Sequence, residues 1–501
     1  VSTTAELCAP LGTHRRAAWT LALVLFGSYA YFVPAPAWNQ NSRFALTRAL
    51  VERGSTIIDP DHETTGDKSF RDGHFYCDKA PGASLLAALP YAVFHAIGRI
   101  TGAELPGATV IPQDPRDAKA GRAPSLAERK PGDRILYNRA HRLGSYFAGV
   151  FSVGVLSVLG ALALWLVALR QAAGNVAVAS ACALTYGLAT PAFAYSTALY
   201  GHQSCGALLM IAFAVACLAG RGADRRAAML IGSALGLAVT IEYTAALPAA
   251  GFALWWWWRQ GLRSALWLGA AAAPWALLLA VYHTVAFGGP LSTGYDWVWL
   301  PEFAEGMRVR YGIGRPDPEV LVAIAFGAYR GLFYLSPVLL LAAWGLVVAA
   351  VSRARPDSVI DGAPARIAVA VCVYFLLLNA GYYMWDGGAA IGPRHVVPML
   401  GLLAAGLVHA RQVVPHAFAT LAIVSAAQLL LATAAMPEAP QSGNPLWEFA
   451  LGHVLGRDAS TDAIASNLGL LLGLPGAWSL LPLVGLWIWA APIATRAGAP
   501  G

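Results

Sequence analysis

Residues 143–169 read LGSYFAGVFSVGVLSVLGALALWLVAL, between Arg142 and Arg170. No charge interrupts them. A helix needs about 20 apolar residues to cross the hydrocarbon of a bilayer, so this stretch is long enough to span. It is not alone. Hydrophobic residues make up 57% of the 501 and charged residues only 12%, with a mean hydropathy of +0.55. A soluble protein carries about 25% charge, and 12% could not cover a soluble surface of this size. The composition therefore specifies a polytopic membrane protein. It excludes a disordered chain, a disulfide scaffold and a soluble enzyme. The net charge of +7 is spread through loops rather than gathered into the basic patches of a nucleic-acid binder.

Reading outward from 143–169, further apolar runs lie at 17–35, 174–198, 203–220, 227–243, 244–258, 263–286, 332–351, 366–384, 395–410, 413–435 and 466–492. The fold class expected is an all-α polytopic membrane protein. It has about twelve transmembrane helices and a large extracytoplasmic first loop that contains interfacial helices. His14, Arg15 and Arg16 precede the first run, which is expected to stay as an anchor rather than be cleaved. The stretch 83–100 carries His95 and Arg99. If it does not cross, Arg15/Arg16, Arg170, Arg221/Arg225/Arg226, Arg259/Arg263, Arg353/Arg355/Arg366, Arg411 and Arg496 all fall on the cytoplasmic side, as the positive-inside rule requires. If it crosses, every later loop inverts. The stretch is therefore read as interfacial or re-entrant, with both termini cytoplasmic. Trp255–Trp258 beside Arg259 read as an interfacial aromatic belt.

With this orientation the polar material falls on one face, in 36–142, 199–202, 287–331, 385–394 and 436–465. Between Pro36 and Arg142 stand 15 basic and 12 acidic residues, 27 of the 61 charges in about a fifth of the length. A transporter is expected to hold its polar groups near the midplane in broken helices; display at one face suits surface chemistry. Within the loop, Asn41–Arg53 reads as a short amphipathic helix. Asn41 or Ser42 would cap it, Arg48 and Glu52 pair at i,i+4, and Gly54 stops it. Asp72-Gly73 reads as a turn between short extended pieces. Six carboxylates, three Lys or Arg and two His crowd Ser55–Pro81. A solvated loop has such charges too, but the dense Gly and Pro spacing points to a shaped one, with a functional role for one or more of Asp59, Asp67 and Asp78.

The loop opens with a short helix containing Arg43-Phe44. It closes with Asp78-Lys79-Ala80-Pro81-Gly82, leading into an apolar helix. In this the chain resembles the GT-C superfamily of integral membrane glycosyltransferases, especially bacterial relatives of the protein O-mannosyltransferases and aminoarabinose transferases. The likeness covers the architecture of most of 1–501, read as one transmembrane domain, though local motif matches are few. Tyr200-Gly201-His202, Arg330-Gly331-Leu332-Phe333 and Gly392-Pro393-Arg394-His395 look similar too. The resemblance implies transfer of a sugar from a polyprenyl-phosphate carrier to a lipid, glycan or protein hydroxyl on the extracytoplasmic side. It implies membrane lipids as partners and no nucleic acid. It implies that a first-loop carboxylate acts as base or orients the acceptor, and that Lys79 contacts the carrier phosphate. One departure stands out. Relatives place an acid just before the Arg-aromatic pair, whereas this chain has Asn39-Gln40-Asn41-Ser42.

Such a reaction needs a base for the hydroxyl and cations for the leaving phosphate. Lys79, Arg394, Arg43 and Arg330 are the candidates for the phosphate; snorkelling at helix ends is the other reading of Arg394 and Arg330. Glu242, near the outer end of an apolar span, is functional by default. It could bind sugar, metal or a cation such as Arg394, unless Tyr243 or a buried arginine simply partners it. His202, His395, Trp385 and Asp386 are further substrate-binding candidates, with a structural histidine and an aromatic belt as the alternatives. No dedicated metal motif appears; a carboxylate-bound divalent cation stays open. A lipid-linked glycan flippase and a non-catalytic scaffold are the competing functions. The six cysteines suggest unpaired thiols.

Overall fold

In hydrocarbon a backbone must satisfy its own N–H and C=O groups, which is why the apolar runs become helices. The computed structural model describes residues 14–112, 134–220, 222, 224–353, 358–435, 443–456 and 464–495. Along it run α1 (Arg15–Tyr29), α2 (Trp38–Arg48), β1 (Lys68–Arg71), β2 (His74–Cys77) and α3 (Gly82–Thr101), followed by β3 (Ala108–Ile111) and β4 (Arg134–Tyr137). Then come α4 (Arg139–Gln171), α5 (Val176–Leu188), α6 (Gly201–Leu218), α7 (Arg225–Ile241), α8 (Ala246–Gln260) and α9 (Leu262–Phe287). The last are α10 (Val338–Val351), α11 (Ala363–Ala380), α12 (Arg394–Val413), α13 (Pro415–Ala435) and α14 (Gly476–Thr495).

Each of the twelve apolar runs is helical over much of its length. Among the described residues, seven helices are long and apolar enough to cross, and α12, bent by 53°, makes an eighth. The count falls short of twelve because breaks shorten several runs. α5 ends at Leu188 ahead of Pro191, the 332–351 run breaks at Ser336-Pro337, and α7 ends at Ile241 with Glu242 extended (φ −141°). α3, which is not one of the twelve runs, is itself among the seven. The helices share a large apolar core containing Trp165, Phe213, Phe252 and Trp256. Their outer faces stay apolar as well: Leu254, Leu266, Leu277, Ile423 and Trp489 are more than half exposed. Apolar surface this extensive marks a protein that lives in lipid. Trp255 and Trp256 are buried in the core, so only Trp257 and Trp258 of the expected belt are exposed.

The first loop differs from expectation at its opening. α2 starts at Trp38, after extended Ala37, and Asn41 and Ser42 lie inside the helix rather than capping it. Their side chains point into the protein: Asn41 Nδ2 donates to the Thr64 carbonyl at 2.8 Å and Ser42 Oγ to Cys77 Sγ at 3.1 Å. Asn39 through Thr47 are all buried. The helix continues as a π turn over Ala49–Arg53 and stops at left-handed Gly54. Arg48 bonds Glu52 at 2.8 Å as expected, and also Asp61. β1 and β2 form an antiparallel hairpin in the register Lys68↔Cys77. Asp72 and Gly73 both have positive φ, the hairpin turn that Asp-Gly favours.

The chain leaves and rejoins the helical body at one place. Tyr146 Oη, near the start of α4, donates to the Ala30 carbonyl at the end of α1 (2.6 Å). Arg142 donates to Ser466 Oγ (2.8 Å), and the Ser466 carbonyl accepts from Val33 N (2.7 Å). Five cysteines among the described residues are buried and free; Cys8 lies outside them.

Candidate active site

The segment Asp78–Gly82 turns from β2 into α3, and each residue has a separate task. Lys79 Nζ lies 2.9 Å from Asp78 Oδ2 and 3.3 Å from Asp67 Oδ2. Burial alone would lower the Lys79 pKa, but Asp67 and Asp78 outweigh it and hold the ammonium well above its ordinary value. Burial pushes Asp78 above the ordinary carboxylate value, with Lys79 opposing. The Ala80 carbonyl accepts from Arg43 Nη1 at 3.3 Å. Pro81 precedes the first helical residue of α3. A β-carbon at Gly82 would stand 2.7 Å from the Thr240 backbone. The glycine thus lets the start of α3 close against the end of α7, beside Glu242.

Glu242 meets Arg43 there. Arg43 Nη2 lies 3.0 Å from Glu242 Oε1, with side-chain exposures of 2% and 12%. Arg43 Nε donates to Asn39 Oδ1 at 3.2 Å. The amide at the acid-less opening of the loop therefore orients the arginine, and α7 supplies the negative charge. His202 Nδ1 is 3.5 Å from the same Glu242 oxygen. The His202 ring packs edge-on to His395 (5.3 Å), and His395 packs on Tyr382 (5.0 Å). A β-carbon at Gly201, the first residue of α6, would fall 2.1 Å from Glu242 Oε1. The carboxylate sits at the positive end of the α6 dipole. Arg394 is within electrostatic reach of Glu242, His202 and Asp67, and its buried Nε has no partner among the described residues. The ends of α6, α7, α11 and α12 and the first loop therefore converge on one polar cluster.

The other candidates lie elsewhere. Asp59 accepts from the Phe75 backbone N–H and pairs with His74 Nδ1, both at 2.7 Å, which ties it to the hairpin. Arg330 clamps the 386–390 loop: its guanidinium donates to the carbonyls of Asp386 (3.0 Å), Gly388 (2.6 Å) and Ala390 (2.8 Å), and lies over the Tyr329 ring. Asp386 accepts from Tyr329 Oη at 3.1 Å, and the Trp385 carbonyl accepts from Asn379 at 2.8 Å. These residues shape the loop that leads to Arg394. Sequence reasoning missed His283 of α9, which bonds Tyr243 Oη at 2.8 Å. Its signal was a lone histidine near the end of an apolar run. Tyr243 packs in turn on Tyr295 (5.9 Å), which is within electrostatic reach of Lys79, Glu242 and Asp78. Among the described residues no group of three or more His, Cys, Asp or Glu is arranged to hold a metal ion.

No protein-family model matches the chain, and no curated protein matches it in sequence. Among solved structures it is similar to ArnT from Cupriavidus metallidurans in the apo state. The TM-score is 0.49 and the sequence identity 15%, over 97% of this chain and 76% of that one.

Proposed function

We propose that this protein is a membrane glycosyltransferase that moves a sugar from a polyprenyl-phosphate donor to an acceptor hydroxyl at the extracytoplasmic face. The observation that carries the reading is Lys79. It is a nearly buried ammonium, kept charged by two carboxylates, at the mouth of an apolar helix, and with Arg43 and Arg394 it acts electrostatically on Glu242. Placing cations there without function would be costly; a leaving phosphate gives them one. In the reaction the acceptor oxygen bonds the anomeric carbon, and its proton passes to a first-loop carboxylate. The bond from that carbon to the phosphate oxygen breaks, and the electron pair leaves with the phosphate. Asp78 suits the base because burial raises its pKa. Lys79 and Arg394 face the charge that develops on the phosphate. The Arg43–Glu242 pair fixes Ala80 and hence Lys79. The protein sits in the inner membrane with both termini cytoplasmic, and the acceptor is a lipid, glycan or protein.

The test is transfer from a synthetic polyprenyl-phosphate sugar by the purified protein. Lys79→Ala is expected to lower the rate about 100-fold, the scale of losing one preorganised charge contact, at unchanged expression. Full activity of Lys79→Ala would remove the phosphate assignment.

A further inference from the structure

A cavity adjoins the cluster. It has a volume of about 390 Å³ and lies between the 294–298 turn and the strap at 304–311. The turn is docked on the hairpin: Ser69 Oγ donates to the Gly294 carbonyl (2.6 Å), and Trp299 N donates to the Lys68 carbonyl (3.0 Å). The strap is pinned from the other side, with Tyr383 N bonded to the Gly312 carbonyl (2.9 Å) and Gly314 N to the Gly381 carbonyl (2.7 Å). Between these anchors Arg310 and Tyr311 both hold positive φ, at 49° and 55°. Side-chain-bearing residues seldom adopt that conformation, and sites of function are where such strain persists. The result sets the Tyr311 ring 6.2 Å from Tyr295.

The cavity is lined by chemistry that suits a sugar with a negative charge. Tyr295 and Tyr311 offer ring faces. Asp296, held by Thr293 N at 2.7 Å, offers acceptor oxygens to hydroxyls. Arg308 and Arg310 are exposed at its edge, and neither guanidinium has a side-chain partner among the described residues. Tyr295 is shared with the Lys79 cluster, so a ligand here lies next to the reacting centre. We infer that this cavity is the acceptor subsite and that it takes an anionic saccharide unit, a uronic acid or a sugar phosphate. Its part as an acceptor subsite rests on the transferase reading; the binding chemistry does not.

The experiment measures binding of methyl β-glucuronide, glucose 6-phosphate and neutral methyl β-glucoside to the detergent-solubilised full chain. Both anionic sugars are expected to bind about tenfold or more tighter than the neutral one, as charge-assisted contacts to arginine provide. The exposed pair substitution R308Q/R310Q should reduce that preference to none and leave the neutral sugar unaffected. Lys79→Ala should retain the preference while losing transfer. Equal binding of the three sugars, an unchanged preference in R308Q/R310Q, or equal competition by inorganic phosphate would each overturn the proposal. Selective binding without any transfer by the wild type would sink the transferase reading and leave the anionic-sugar site standing.

Discussion

At Gly201 the Glu242 carboxylate occupies the space a β-carbon would need. Gly201→Ala is therefore expected to push Glu242 off Arg43. Separating a buried pair costs roughly 3–5 kcal/mol, read as a lower melting temperature of the purified protein and lost transfer. An alanine variant with wild-type stability would show that the pair tolerates displacement. The base must be ionised to act, and burial raises the Asp78 pKa above its ordinary 3.8. Transfer should therefore rise with pH through that raised value and level off above it. Asp78→Asn should flatten the limb and lower the rate about 100-fold or more. A limb that survives in Asp78→Asn would move the base to another group. Glu242 was legible as a lone acid in an apolar run. Its partner Arg43, about 200 positions away in the chain, was not, because nothing local links the end of α7 to α2. Nor does a loop-borne Asn39 announce that its amide will hold an arginine.

Among the elements, the turns were read best and the helix starts worst. Asp72-Gly73 specifies its hairpin through local backbone preference, and Gly54 stops its helix for the same reason. The start of α2 was read three residues late because Asn41 and Ser42 have cap chemistry, yet tertiary partners claim their side chains. What holds this segment is the Arg48–Glu52–Asp61 network, with Tyr91 of α3 donating to Glu52. Arg48 and Asp61 are nearly buried, at 11% and 7% side-chain exposure. Asp61→Ala leaves Arg48 with Glu52 alone. It should destabilise the protein by about 3 kcal/mol, the lower end for breaking a buried pair. Limited proteolysis should then cut first within 54–65. A variant as protease-resistant as the wild type would show that Glu52 alone suffices.

For the whole molecule, the orientation turns on α3, which has the length and composition of a span. Geometry argues against a crossing. The end of α1 and the start of α4 touch through Tyr146–Ala30 and through the Arg142–Ser466–Val33 chain. The segment between them therefore returns to the side it left, and a single crossing by α3 would leave it on the wrong one. With each later apolar run crossing in turn, the same parity is expected to put the α6, α7, α11 and α12 ends that meet at Lys79 on that side, opposite the short basic loops. Charge counting along the sequence argues for the same orientation and needs no tertiary knowledge; the convergence of the helix ends was beyond it. The test introduces one cysteine before α3 and one after it, Asp72→Cys and Arg122→Cys. The Asp72 side chain is 72% exposed, and position 122 lies outside the described residues. Five native cysteines are buried, and Cys8→Ser removes the sixth, so background labelling should be low. Both introduced thiols are expected to react with an impermeant maleimide on intact cells, while Arg225→Cys reacts only after permeabilisation. If position 72 labelled from outside and 122 only after permeabilisation, α3 would cross. Every later loop would then invert, and Lys79 and Arg394 would stand at opposite faces, too far apart to serve one phosphate.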